Sequence, residues 1–83
     1  MPLYMDMHSL DGGVKADDVA KAHLADLQTQ GRHDVRYLPY WVDEGQGKIF
    51  CLVDAPSEEA ANRVHREAHG LVADALYPVI EGD

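Results

Sequence analysis

Residues 35–53 read Val-Arg-Tyr-Leu-Pro-Tyr-Trp-Val-Asp-Glu-Gly-Gln-Gly-Lys-Ile-Phe-Cys-Leu-Val, and they decide the fold. Residues 35–42 are rich in valine, tyrosine and tryptophan, residues 48–53 are almost wholly apolar, and a polar, glycine-containing turn joins them, which predicts a β-hairpin. Pro39 lacks the N–H that a ladder needs, so the first strand of the hairpin is expected at a sheet edge or at a bulge. Ile49, Phe50, Cys51, Leu52 and Val53 leave no polar face, as in a central strand covered on both sides.

Working outward, residues 16–30 place Ala16, Val19, Ala20, His23, Leu24 and Leu27 on one helical stripe, with Asp17 and Asp18 in the first turn and Gly31 as the expected stop. Before this helix, residues 3–8 alternate Leu3, Met5 and Met7 with Tyr4, Asp6 and His8, which reads as a half-buried strand; Asp11-Gly12-Gly13 ends it. After the hairpin, residues 57–70 read Ser-Glu-Glu-Ala-Ala-Asn-Arg-Val-His-Arg-Glu-Ala-His-Gly. Ser57 is a natural N-cap, Glu58 and Glu59 suit the helix start, and Gly70 suits the stop. Residues 77–80 supply a last strand. The order strand, helix, strand, strand, helix, strand is the ferredoxin-like βαββαβ arrangement, an α+β fold whose antiparallel sheet carries two helices on one face, here as a single domain spanning 1–83.

Two helices cover one sheet face only. The other face, expected to carry Leu38, Tyr40, Tyr4 and His8 with either Ile49, Cys51 and Val53 or Phe50 and Leu52, is too apolar for a solvated surface and marks an interface, so a homodimer joined through its sheets is expected. Seven basic against 15 acidic residues give a net charge of −8, which repels nucleic acid and anionic membranes and attracts cations. No apolar run approaches the roughly 20 residues of a membrane span, and no signal pattern opens the chain, which implies a cytoplasmic protein. Cys51 has no cysteine to pair with, and its apolar surroundings read as a buried hydrophobe rather than a reactive thiol.

The chemistry concentrates in the second helix. His65 and His69 are four residues apart, so their Cβ atoms lie about 5–6 Å apart on one face, close enough to grip one metal ion. The apolar stripe runs through Ala60, Ala61, Val64, Ala68 and Leu71, which places His65 at its edge and His69 outside it. Helical spacing adds Asn62 and Glu58, giving a candidate metal-ligand stripe Glu58, Asn62, His65, His69 of nitrogen and oxygen donors. Asp6 and His8, sharing a strand face, are a second candidate pair. Glu67 points about 160° away from the histidines, so the zinc-protease arrangement is absent. The competing reading has both histidines capping the helix end. His23 reads as a hydrogen-bonded core residue, and His33 as a solvated turn residue beside Asp34.

The segments Tyr37-Leu38-x-Tyr40-Trp41, Phe50-Cys51-Leu52-Val53-x-Ala55-Pro56 and His65-Arg66-Glu67-Ala68-His69-Gly70-Leu71-Val72-Ala73 together resemble a family of small bacterial domain-of-unknown-function proteins that includes a ferredoxin-like, nickel-binding homodimer implicated in nickel sequestration. The resemblance covers nearly the whole chain. It implies the fold, the dimer and nickel held at the dimer's surface, and it leaves the ligands unspecified. The expected function is therefore binding of nickel, with copper binding at least as well in vitro, for sequestration or detoxification. The alternative is a small dimeric α/β-barrel enzyme acting on an organic molecule in a pocket between sheet and helices, with His23, His8 and Tyr4 as its polar groups; it rests on fold analogy alone.

Overall fold

Ser57 begins the second helix as a true N-cap, its Oγ accepting the Ala60 N–H at 3.1 Å. Throughout the computed structural model, which describes residues 2–82, local signals of this kind set the elements. Residues 1 and 83 of the expected 1–83 domain lie outside the described residues. The elements are β1 (Leu3–Ser9), α1 (Ala16–Thr29), a 3-10 turn (Gln30–His33), β2 (Arg36–Asp43), β3 (Lys48–Asp54), α2 (Glu58–Ala68) and β4 (Ala75–Val79). Gly31 does not stop α1. The chain tightens into the 3-10 turn instead, and Asp34, at φ 58°, ends it in the left-handed conformation that aspartate tolerates.

The four strands form one antiparallel sheet in the order β2-β3-β1-β4, with β3 and β1 central and β2 at an edge. Pro39 acts as its chemistry dictates. The β2–β3 register runs Tyr37↔Val53 and then Tyr40↔Cys51, a shift that places an irregularity around Leu38 and Pro39. At the hairpin end, Gly47 at φ +68° lies so close to Leu10 that an added Cβ would sit 2.1 Å from the Leu10 carbonyl oxygen, and only glycine fits there.

The alternation in β1 is as expected, but its two sides are exchanged. Tyr4, Asp6 and His8 pair with Val53, Cys51 and Ile49 beneath the helices, while Leu3, Met5 and Met7 lie on the open face with Leu52 and Phe50. Asp6 and His8 are therefore buried rather than exposed on the open side. A carboxylate and an imidazole are tolerated there because each finds charged partners under α2. Tyr40 also faces the helices, packing against His23, so neither it nor Tyr4 contributes to the open face. The apolar groups left uncovered on the open face include Trp41, Phe50 and Tyr77, at 52%, 37% and 54% exposure.

Both helices are rotated from their expected stripes. In α1, Val19, Asp26 and Thr29 are buried whereas Leu24 and Leu27 are exposed. In α2, Ala61, Val64 and His65 face inward, and Leu71, beyond its C-terminal end, is exposed, so His65 lies at the centre of the buried face and not at its edge. The cause is polar: Asp26 and His65 turn toward each other across the α1–α2 contact, and each helix rolls to allow it.

Candidate metal centre

Three donor atoms converge where α1 meets the last turn of α2. Asp26 Oδ1 lies 2.9 Å from His65 Nδ1 and 3.0 Å from His69 Nε2, and the two ring nitrogens are 3.2 Å apart. The i, i+4 spacing brings the imidazoles together, and the packing of α1 on α2 brings the carboxylate. A triangle with these edges is what one face of an octahedron requires, since two bonds of about 2.1 Å at a right angle separate their donors by about 3.0 Å. Imidazole and carboxylate together suit a borderline divalent transition metal, so the donor set fits nickel in both geometry and chemistry.

Beneath this triangle is a second layer. His65 Nε2 reaches Asp6 Oδ2 at 2.8 Å, so the His65 ring is clamped between two carboxylates. Tyr37 donates its hydroxyl to the Ala61 carbonyl at 2.9 Å and stands 3.4 Å from Asp6 Oδ2. The His8 ring meets the His65 ring edge-on at 4.9 Å, and its Nε2 lies 3.4 Å from Asp6 Oδ1. A carboxylate that holds the far nitrogen of a ligating histidine fixes its tautomer and orientation. Asp6 is placed to do this.

Burial opposes ionisation of every group here, and the partners decide the outcome. Burial alone would lower the His65 pKa, but its hydrogen bonds to Asp26 and Asp6, and their charges, push it up to about 9. Burial alone would raise Asp6 and Asp26, yet the hydrogen bonds of His65, joined by the nearby His8 ring for Asp6 and by His69 for Asp26, hold both carboxyls below the usual range. Burial and the two nearby carboxylates push the Tyr37 phenol up, keeping it a proton donor. Burial, followed by the Asp6 charge, pushes up the Cys51 thiol as well. In the metal-free protein His65 thus holds a proton on each nitrogen, an imidazolium balancing buried carboxylates.

A cavity of about 30 Å³ adjoins the cluster, lined by His8, His23, Asp26, Cys51, His65 and His69 together with Val19, Ala22, Tyr40, Ile49 and Leu71. It has room for a water molecule or an ion. His23 is half-buried, and its Nδ1 makes no hydrogen bond, so it is not the hydrogen-bonded core residue expected from the sequence; burial pulls its pKa down. His33 pairs with Glu67 and so ties the 3-10 turn to α2.

Of the residues singled out in the sequence, the structure brings together His65, His69, Asp6 and His8. It does not bring Glu58, exposed on the first turn of α2, or Asn62, whose Oδ1 accepts the Ala73 N–H at 3.2 Å. The carboxylates beside the histidines come instead from α1 and β1. Asp26 is absent from the expected ligand set, although its place three positions after His23 on one helical face is a usable signal. Cys51 is buried as expected, yet its sulfur belongs to a donor group with Asp6, His8 and His65.

Residues 4–79 match the family model described as "Nickel responsive protein SCO4226-like". The crystal structure of SCO4226 from Streptomyces coelicolor A3(2) superposes with a TM-score of 0.89 at 36% sequence identity, covering 98% of this chain and 99% of that one. No curated protein matches. Among the described residues no helix is long and apolar enough to cross a membrane.

Proposed function

Because the chain belongs to the nickel-responsive, SCO4226-like family, we propose that it binds nickel, as a sequestering protein rather than an enzyme, through Asp26 Oδ1, His65 Nδ1 and His69 Nε2. The observation that carries this reading is the donor triangle with edges of 2.9, 3.0 and 3.2 Å. Asp6 is the outer partner that orients His65, and the adjoining cavity leaves room for water to complete the coordination shell. Uptake displaces protons. His65 gives up its Nδ1 proton and keeps the one facing Asp6. Leu71 N–H donates to His69 Nδ1 at 3.1 Å, which places the proton of neutral His69 on Nε2; capture of nickel therefore moves that proton and opens the Leu71 contact.

Two copies associate through the open sheet face, where Trp41, Phe50 and Tyr77 are otherwise left to water. Calorimetric titration of nickel into protein purified without an affinity tag tests the metal reading. Nickel at about 100 times its dissociation constant adds about 2.7 kcal/mol to folding stability per site, and His69→Ala removes most of that gain. Undiminished nickel binding by His69→Ala would rule the triangle out.

A further inference from the structure

On the other side of the His65 ring, Asp6, His8, Cys51 and His65 form a second donor group, all four buried and with one ligand atom from each within 4.8 Å of the others. Asp6 has no exposed surface, and while its Oδ2 takes up His65, its Oδ1 makes no hydrogen bond, with His8 Nε2 standing 3.4 Å away. A buried carboxylate oxygen without a hydrogen bond is costly and calls for a partner, of which a cation is one kind.

We propose that Asp6, His8, Cys51 and His65 form a second, thiophilic metal site, which takes a zinc-class ion in tetrahedral N2OS coordination. Bonds of about 2.0–2.3 Å at tetrahedral angles separate donors by about 3.3–3.6 Å, so the group needs to contract by about 1.5 Å at most, and the His8–Asp6 spacing of 3.4 Å is already in range. Thiolate sulfur, absent from the outer triangle, selects a softer ion than nickel. The charges also balance: a divalent ion facing one carboxylate and one thiolate leaves the buried site neutral once the Cys51 and His65 Nε2 protons leave for solvent. A neutral imidazole has one lone pair, so His65 serves the inner site through Nε2 or the outer one through Nδ1, and the two are alternatives.

The inner site stands independently of the nickel reading, and cobalt(II) is the probe that separates them. Titrated into the metal-free protein, cobalt should give the near-ultraviolet thiolate-to-metal charge-transfer band, with zinc abolishing it on displacement. The band should vanish in both Cys51→Ser and Cys51→Ala and persist in His69→Ala; alanine keeps the position apolar where a buried serine hydroxyl could disturb folding. Cobalt binding without this band, or a band that survives either Cys51 substitution, overturns the inner site. Nickel titrations on the same variants report separately on the outer triangle, which predicts loss in His69→Ala and retention in Cys51→Ala.

Discussion

His65 Nε2 and Asp6 Oδ2 stand 2.8 Å apart although 59 positions separate them in the chain, and their side chains are 1% and 0% exposed. With Asp26 on the opposite nitrogen, this contact makes His65 the hub through which α1, α2 and β1 are joined. A lone charge at such depth would be strongly destabilising, whereas an imidazolium between two carboxylates is matched on both sides. Removing one partner then costs more than the contact itself contributes, because it strands the others.

Stability of the metal-free protein should depend on pH through this hub. The folded pKa of His65 near 9 exceeds its ordinary 6.5, so its contribution is complete below about pH 6.5 and is lost as pH rises through 9. Asp6 and Asp26 are depressed, so their contribution is present above the ordinary carboxylate value and is lost in stronger acid. The thermal midpoint should thus be highest between about pH 4 and 6.5 and decline toward pH 9.5, the His65 share being about 3 kcal/mol. Calorimetry of the parent and of His65→Gln checks this; equal slopes between pH 6.5 and 9.5 would refute it.

Nickel affinity should move the opposite way. Coordination requires His65 Nδ1 to be free of its proton, and that proton is held up to about pH 9. Affinity should therefore climb by up to about tenfold per pH unit from pH 6 to 9, instead of levelling off near the ordinary imidazole value. Titration calorimetry in buffers of different ionisation enthalpy also counts the protons released. A plateau above pH 7 would show that His65 is not a ligand.

The ligand set separates a one-helix stripe from a site assembled across elements. Asp26→Asn should lower nickel affinity by about 100-fold or more, and Asp6→Asn by about 10–100-fold through loss of orientation. Glu58→Gln and Asn62→Ala should leave it within about twofold, since neither side chain reaches the cluster. A large loss from Glu58→Gln with none from Asp26→Asn would restore the stripe.

On the open face, Phe50→Asp or Trp41→Asp should weaken self-association by several kcal/mol, because each places an unpaired carboxylate in an apolar interface. Leu38→Asp, at the β2 irregularity, should have a smaller effect on association. Light scattering at micromolar concentration reads the outcome, and a well-folded monomer from the unmodified chain would exclude the dimer.

By itself the sequence determined the element order, the edge position of β2 through Pro39, the start of α2 at Ser57, the two-sided character of β1 and the pairing of His65 with His69. Each follows from backbone chemistry or from periods of two and 3.6 residues, which act over a few positions and leave their mark in composition. Tertiary structure alone decided which side of β1 the helices cover, how far α1 and α2 roll, and that Asp26, Asp6 and Cys51 meet His65. Hydrophobic periodicity counts a carboxylate as outward-facing, and that rule fails when a partner 39 or 59 positions away neutralises it. The polar pairs therefore won over the apolar stripes at the centre of the molecule, and Leu24, Leu27 and the β1 methionines were turned to the outside as a consequence.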